Sequence, residues 1–233
     1  MLSRSRGSWT DRQRWWYEER LPRIEAIAYQ ELAKYEQQFG RIETLYTPIV
    51  PIIESLWKLQ YKYDDLTRYD VPKGTVGFLD HHQRLIVLDE GLEHEGRENF
   101  TLAHEGGHWK LHLRHRLPPG QLSLLEEQPE RYFCRWEGEE RWMFREAHHF
   151  AACILMPKHK LAPVAKERLR LESKGKLGLR YDSWRQVLRT LAEDFRVSQQ
   201  AMELRLRELG LIIPTQDGGV KLTDQQDGPL FSR

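Results

Sequence analysis

The stretch that most constrains this chain is FTLAHEGGHWKLH, residues 100–112. It lies between a polar run, Glu90 to Asn99, and the breakers Pro118, Pro119 and Gly120, and reads as a helix from about Arg97 to Leu113. Two adjacent glycines, Gly106 and Gly107, fall inside it. Each costs a helix about 1 kcal/mol relative to alanine, a cost that usually accompanies close approach of another backbone. The plainer reading is a locally weak or kinked helix.

Residues four apart stack on one helix face about 6 Å apart at Cβ, so His104 and His108 can each direct an imidazole nitrogen at a single ion. Glu105 stands roughly 100° around the same turn, near such an ion without having to ligate it. A carboxylate there can take a proton from a water whose pKa the ion has brought from about 15.7 toward 7, while the ion polarises a carbonyl. The chemical reading is metal-assisted hydrolysis; the bland one is a solvated helix face. His112 continues the stripe and suits a supporting or packing role better than ligation.

Composition narrows the classes. Charged residues are 30% of the 233, yet the nominal net charge is +1, so no overall field for a polyanion is implied. Cys134 and Cys153 are the only cysteines, too few for a disulfide framework or a zinc ribbon. Structural thiols in a reducing cytosol are the expectation. No apolar export segment follows the first arginines, and nothing approaches the roughly 20 apolar residues of a membrane span. A soluble cytoplasmic protein with no membrane partner is therefore expected.

Along the chain, Leu21, Ile24, Ile27, Ala28, Leu32 and Tyr35 mark an amphipathic helix within residues 11–39, stopped at Gly40. A short helix is read over 49–59 with Pro51 in its first turn. GTVGFLD and QRLIVLDE form a hairpin with His81 and His82 exposed at its tip. Another helix covers about 139–156 and ends at Pro157. Two more follow, with Asp182 and Ser198 at their cap positions and Gly210 at the last stop. LIIPTQDGGVKLT is either a small β-wing or tail. The fold class is α+β, divided into a helical extension (1–45), a core with a small, mostly antiparallel sheet (46–157), a basic segment with a helix pair (158–213) and a wing or tail (214–233). Lys158 to Arg189 holds ten Lys or Arg against three acids, which offers a DNA contact. Glu203 and Glu208 beside Arg205 and Arg207 favour solvated charge instead.

FTLAHEGGHWKLH followed by REAHHFAACILMP resembles the ImmA/IrrE family of metallopeptidases, whose members carry motifs of the kind FTLAHELGH and FAxxLLMP. GTVGFLDHHQRLIVLDEGL is similar to that family's hairpin, and SWRQVLRTLAEDFRVSQQAMELRLRELGLI to the helix pair after its catalytic core. The likeness covers about residues 46–213 in the same order. It implies zinc-dependent endopeptidase cleavage of a protein substrate, commonly a helix-turn-helix transcriptional repressor of phage, mobile-element or stress-response operons. His104 and His108 would be metal ligands and Glu105 the general base. Nitrogen and oxygen ligands favour Zn2+, with Mn2+ and Fe2+ as alternatives.

One feature of the family pattern is missing. Its third ligand is a glutamate four residues before an asparagine on the FAxxLLMP helix, and those positions here are Phe144 and His148. A catalytic zinc takes three protein ligands and keeps one position open. His148, on the margin of an apolar arc that includes Phe144, Ala147, Phe150, Ala151 and Ile154, ranks first as the substitute. Glu140 ranks second and Glu146 third, and the absence of any third protein ligand stays open. Phe144 thus motivates an alternative, a catalytically silent relative that binds a repressor or DNA. An active enzyme is expected to offer its hairpin to an extended substrate as an edge strand.

Overall fold

The computed structural model describes residues 19–113, 131–133 and 141–223. Residues 11–18 of the helix expected within 11–39, Pro118 to Gly120, Cys134, Glu140 and the tail after 223 lie outside the described residues. The architecture is mixed α+β, as expected.

Helix α1 (Leu21–Phe39) sets Ile24, Ala28 and Leu32 into the core at helical spacing. It stops at Gly40, whose φ of 95° suits a residue without Cβ. The helix read over 49–59 is instead a single turn, α2 (Ile49–Pro51), that widens over Ile52–Leu56. The wide turn closes with Trp57 N–H donating to the Ile52 carbonyl at 3.0 Å. Its consequence is to bring the Trp57 ring against the motif helix.

Strands β1 (Gln60–Asp64), β2 (Gly77–Asp80), β3 (Leu85–Asp89) and β4 (Arg131–Phe133) form one sheet in the order β1-β3-β2-β4. Only β1 and β3 run parallel. The hairpin is β2 and β3, with Phe78 opposite Val87 and Leu79 opposite Ile86. It offers no edge. Both of its strands are paired on both sides, and the outer strands are β1 and β4, so the expectation of a hairpin edge strand is corrected. The reason is visible in GFLD, buried at every position: continuous apolar runs belong to inner strands covered on both faces.

Helix α3 (Glu95–His108) begins where His94 Nδ1 accepts from the Gly96 N–H at 3.0 Å. Glu95 and Glu98 lie in its first turn, where the helix dipole favours carboxylates. It runs on as wider turns over Trp109–Leu113. Helix α4 (Arg141–Leu155) packs along it, and the two glycines explain how closely. A Cβ at Gly107 would stand 3.0 Å from Ala147 Cα, and one at Gly106 would stand 2.1 Å from Trp57 Cζ3. Buried Glu31 of α1 ties this region together, accepting from Trp57 Nε1 at 2.9 Å and pairing with Lys110 Nζ at 2.8 Å. Burial pushes its carboxyl up, but the bonds from Lys110, Lys34 and Trp57 outweigh that and hold it below the usual range.

The basic stretch after Pro157 is a helix, α5 (Lys158–Ser173), which turns Leu161, Ala165, Leu169 and Ser173 inward four apart. Pro163 hid it from the sequence reading, since proline gives up a helical hydrogen bond. In α6 (Tyr181–Asp194) Asp182 lies inside the first turn, not at the cap, which is Arg180. Ser198 does cap α7 (Gln199–Glu208), its Oγ accepting from the Ala201 N–H at 3.1 Å. Strands β5 (Gly178–Leu179), β6 (Ile212–Pro214) and β7 (Val220–Leu222) form a second sheet, β5-β7-β6. Arg205 of α7 is turned inward onto Glu25 of α1 at 2.7 Å. Among the described residues, no helix is long and apolar enough to cross a membrane.

Alanine at position 106 should gain about 1 kcal/mol of helix propensity and lose more through overpacking against Trp57. The expected net for Gly106→Ala is a loss of roughly 1–2 kcal/mol in urea unfolding. A variant as stable as the parent would mean that the indole is not held against the helix.

Candidate metal centre

Helix α3 turns its motif face inward. His104 and Glu105 are fully buried and His108 is 3% exposed. The Nε2 atoms of His104 and His108 face each other at 3.2 Å. Burial pushes His104 well below the ordinary imidazole range, helped by the neighbouring His108, His148 and His112. Burial likewise brings His108 down to about 3. Both rings are therefore neutral, the form that can ligate.

Glu105 moves the other way. Burial raises its carboxyl well above the usual range, and among the described residues neither of its oxygens, nor Nδ1 of His104, has a hydrogen-bond partner. A buried carboxyl with no donor or cation beside it stays protonated. A cation held by the adjacent imidazoles would lower its pKa and leave a base.

The imidazole pair fits two corners of a zinc shell. Two nitrogens each about 2.1 Å from a tetrahedral ion stand about 3.4 Å apart, close to the spacing seen here. The third corner is not furnished: among the described residues, no group of three His, Cys, Asp or Glu is arranged to hold an ion. The Phe144 ring stands 4.8 Å from that of His104, tilted by 53°, and carries no donor atom for a cation.

The three candidate donors fare differently. The His148 ring lies 6.1 Å from that of His104, stacked near Phe144 at 5.8 Å and against Phe100 at 4.7 Å. Burial holds it below the ordinary range as well. Glu146, buried at 1% exposure, is turned onto His112, whose Nε2 lies 3.1 Å from its Oε2. Its carboxyl is raised by burial and lowered by His112 and Arg20, with a net shift downward. Glu140 lies outside the described residues. His112 in turn places its Nδ1 3.0 Å from Nδ1 of His108.

Two contributors have no local sequence signal. Trp57 arrives beneath Gly106 through the wide turn after Pro51, and Arg20 binds Glu146 from 126 positions away. Both contacts are set by packing across elements. At the hairpin tip His82 is exposed and His81 half-buried. Cys153 is buried, which raises its thiol to about 12 and leaves it unreactive.

Comparisons with known proteins bear on the family and the fold. No curated protein sequence matches the chain. Among solved structures, a Mycobacterium tuberculosis transcriptional regulator superposes with a TM-score of 0.51 at 17% identity, a likeness of fold. The match covers 88% of this chain and 52% of that one, so this chain spans about half its length. The sequence pattern described as the IrrE N-terminal-like domain, Peptidase_M78, matches residues 62–207, more than half of the chain. With its two motifs on the packed pair α3 and α4, the chain belongs to the IrrE N-terminal-like domain family of the ImmA/IrrE metallopeptidases.

Proposed function

We propose that the chain is a zinc-dependent endopeptidase that hydrolyses a peptide bond in a regulatory protein, with a cytosolic helix-turn-helix repressor as the substrate class. One observation carries this reading: the Nε2 atoms of His104 and His108 converge at 3.2 Å beside Glu105, whose carboxyl has no hydrogen-bond partner among the described residues. His104 and His108 would hold the ion, with His148, whose ring lies 6.1 Å from that of His104, as the candidate third donor. When bound, zinc supplies a Lewis acid that polarises the scissile carbonyl and acidifies water.

The protein residues supply the rest. A carboxylate oxygen of Glu105 takes the proton of the attacking water and returns it to the leaving amine, so the hydrolysis balances. Phe100 and Phe144 keep the surroundings apolar, which strengthens every charge interaction there. The carboxy-terminal module serves packing or substrate holding better than DNA reading, because Arg205 is already committed to Glu25. The second reading is a catalytically silent relative that binds a repressor, and the Phe144 ring beside His104 favours it. Metal content separates the two readings, since a silent relative purified without chelator should carry no stoichiometric zinc.

In Glu105→Gln, proteolysis of a co-incubated helix-turn-helix repressor should fall at least a hundredfold, while fold and zinc content persist. Undiminished cleavage would remove Glu105 from its role. Zinc retention should weaken about tenfold or more in His148→Ala; unchanged affinity there, with metal lost in Glu140→Ala, would transfer the third-ligand role.

Acid should release the metal and loosen the fold together. In the unfolded chain these imidazoles titrate near 6.5, whereas in the fold His108 does so at about 3. Between those values the unfolded chain binds more protons, so the stability contribution is complete above about pH 6.5 and is lost as pH falls toward 3. The urea midpoint should decline through that window. A midpoint independent of pH would contradict neutral, buried rings.

A further inference from the structure

Behind the imidazole pair runs a buried chain of contacts that ends on the amino-terminal helix. His108 Nδ1 lies 3.0 Å from His112 Nδ1, and His112 Nε2 lies 3.1 Å from Glu146 Oε2. Arg20 grips the same carboxyl at both oxygens, its Nε donating to Oε1 at 2.6 Å and its Nη2 donating to Oε2. His112 and Glu146 are 4% and 1% exposed. Water is thus a poor substitute for any link.

We infer that Arg20 and Glu146 are positioning residues that fix the tautomers of His112 and His108, so that His108 presents a bare Nε2 toward His104. The inference rests on the metallopeptidase reading for its purpose, though not for its geometry. A guanidinium can only donate. With both oxygens receiving from Arg20, the Glu146 carboxyl acts as an acceptor, and His112 must supply the proton from its Nε2. An imidazole whose one proton sits on Nε2 has a lone pair on Nδ1. His108 must donate its own Nδ1 proton to that lone pair, which leaves its Nε2 unprotonated. Two imidazoles and one ion pair thereby convert a charge at the start of α1 into the protonation pattern of the candidate ligand, as partners behind a metal-binding histidine commonly do.

Exchanging the carboxylate for an amide should reverse the sequence of donors. In Glu146→Gln the amide oxygen is taken by Arg20 and the amide N–H donates to His112 Nε2. His112 then donates from Nδ1, and His108 is left with its proton on Nε2, facing His104.

The test uses the full chain labelled with 15N-histidine, stripped of metal by a chelator and examined by long-range 1H–15N correlation. His108 should carry its proton on Nδ1 in the parent and on Nε2 in Glu146→Gln, and titration with zinc alone should show affinity weakened ten- to a hundredfold. A parent His108 protonated on Nε2, or the same tautomer in both proteins, would overturn the inference. If Glu146→Gln fails to fold, Arg20→Met replaces it, since that side chain is 25% exposed. It should weaken zinc about tenfold, with Arg20→Lys restoring most of the affinity; no change in Arg20→Met also overturns the inference. A parent chain that binds no zinc would sink the metallopeptidase reading, while the tautomer spectrum still decides this one.

Discussion

The centre of the molecule depends on how closely α3 lies against α4. Gly107 has no side chain to hold Ala147 away, and a Cβ there would already be 3.0 Å from the opposing Cα. That approach brings one row of α4 residues onto the α3 histidines. Phe144 and His148 meet His104, and Glu146, on a neighbouring stripe, meets His112. A wider separation would leave each of these pairs out of reach. The helix weakness of two glycines is thus offset by contacts that no larger residue permits.

Burial then decides protonation. Inside such an interface an ionised group needs a partner, and the site divides along that line. Glu31 and Glu146 each have cations and donors, and both are held below the usual carboxylate range. Glu105 has neither among the described residues and is pushed up. His104 and His108 are pushed down. Neutral imidazoles beside a neutral carboxyl leave this interior uncharged, and a cation held by His104 and His108 would favour the ionised form of Glu105.

Much of this was legible in the sequence where the signal is local. The spacing of His104, Glu105 and His108, the glycine pair, the hairpin and the Ser198 cap all depend on residues within a few positions of one another. What was missed depends on contacts between elements. Pro163 concealed α5 although Leu161, Ala165 and Leu169 keep helical spacing. The hairpin was assigned an edge because β1 and β4 cannot be paired with it from pattern alone, while its unbroken burial pointed inward. Asp182 satisfies the statistics of a cap yet sits one residue inside, because the helix begins at Tyr181. Arg20 could not be foreseen at all, since only the docking of α1 on α4 brings it to Glu146.

The exchange at position 144 is where sequence and geometry meet. A phenyl ring at that place removes one anionic donor, so an ion held by His104 and His108 would keep its full double charge next to Glu105. That raises the electrostatic demand on Glu105, which would then be drawn toward the ion as a ligand more strongly than in a site with a third carboxylate. Neutral His148 would complete the count of donors without reducing the charge. Such a centre would acidify water more strongly for the same geometry, and would lose its ion more readily. The burial of the pair and the fixed tautomer of His108 act against that loss, by excluding competing water and by holding one donor atom ready.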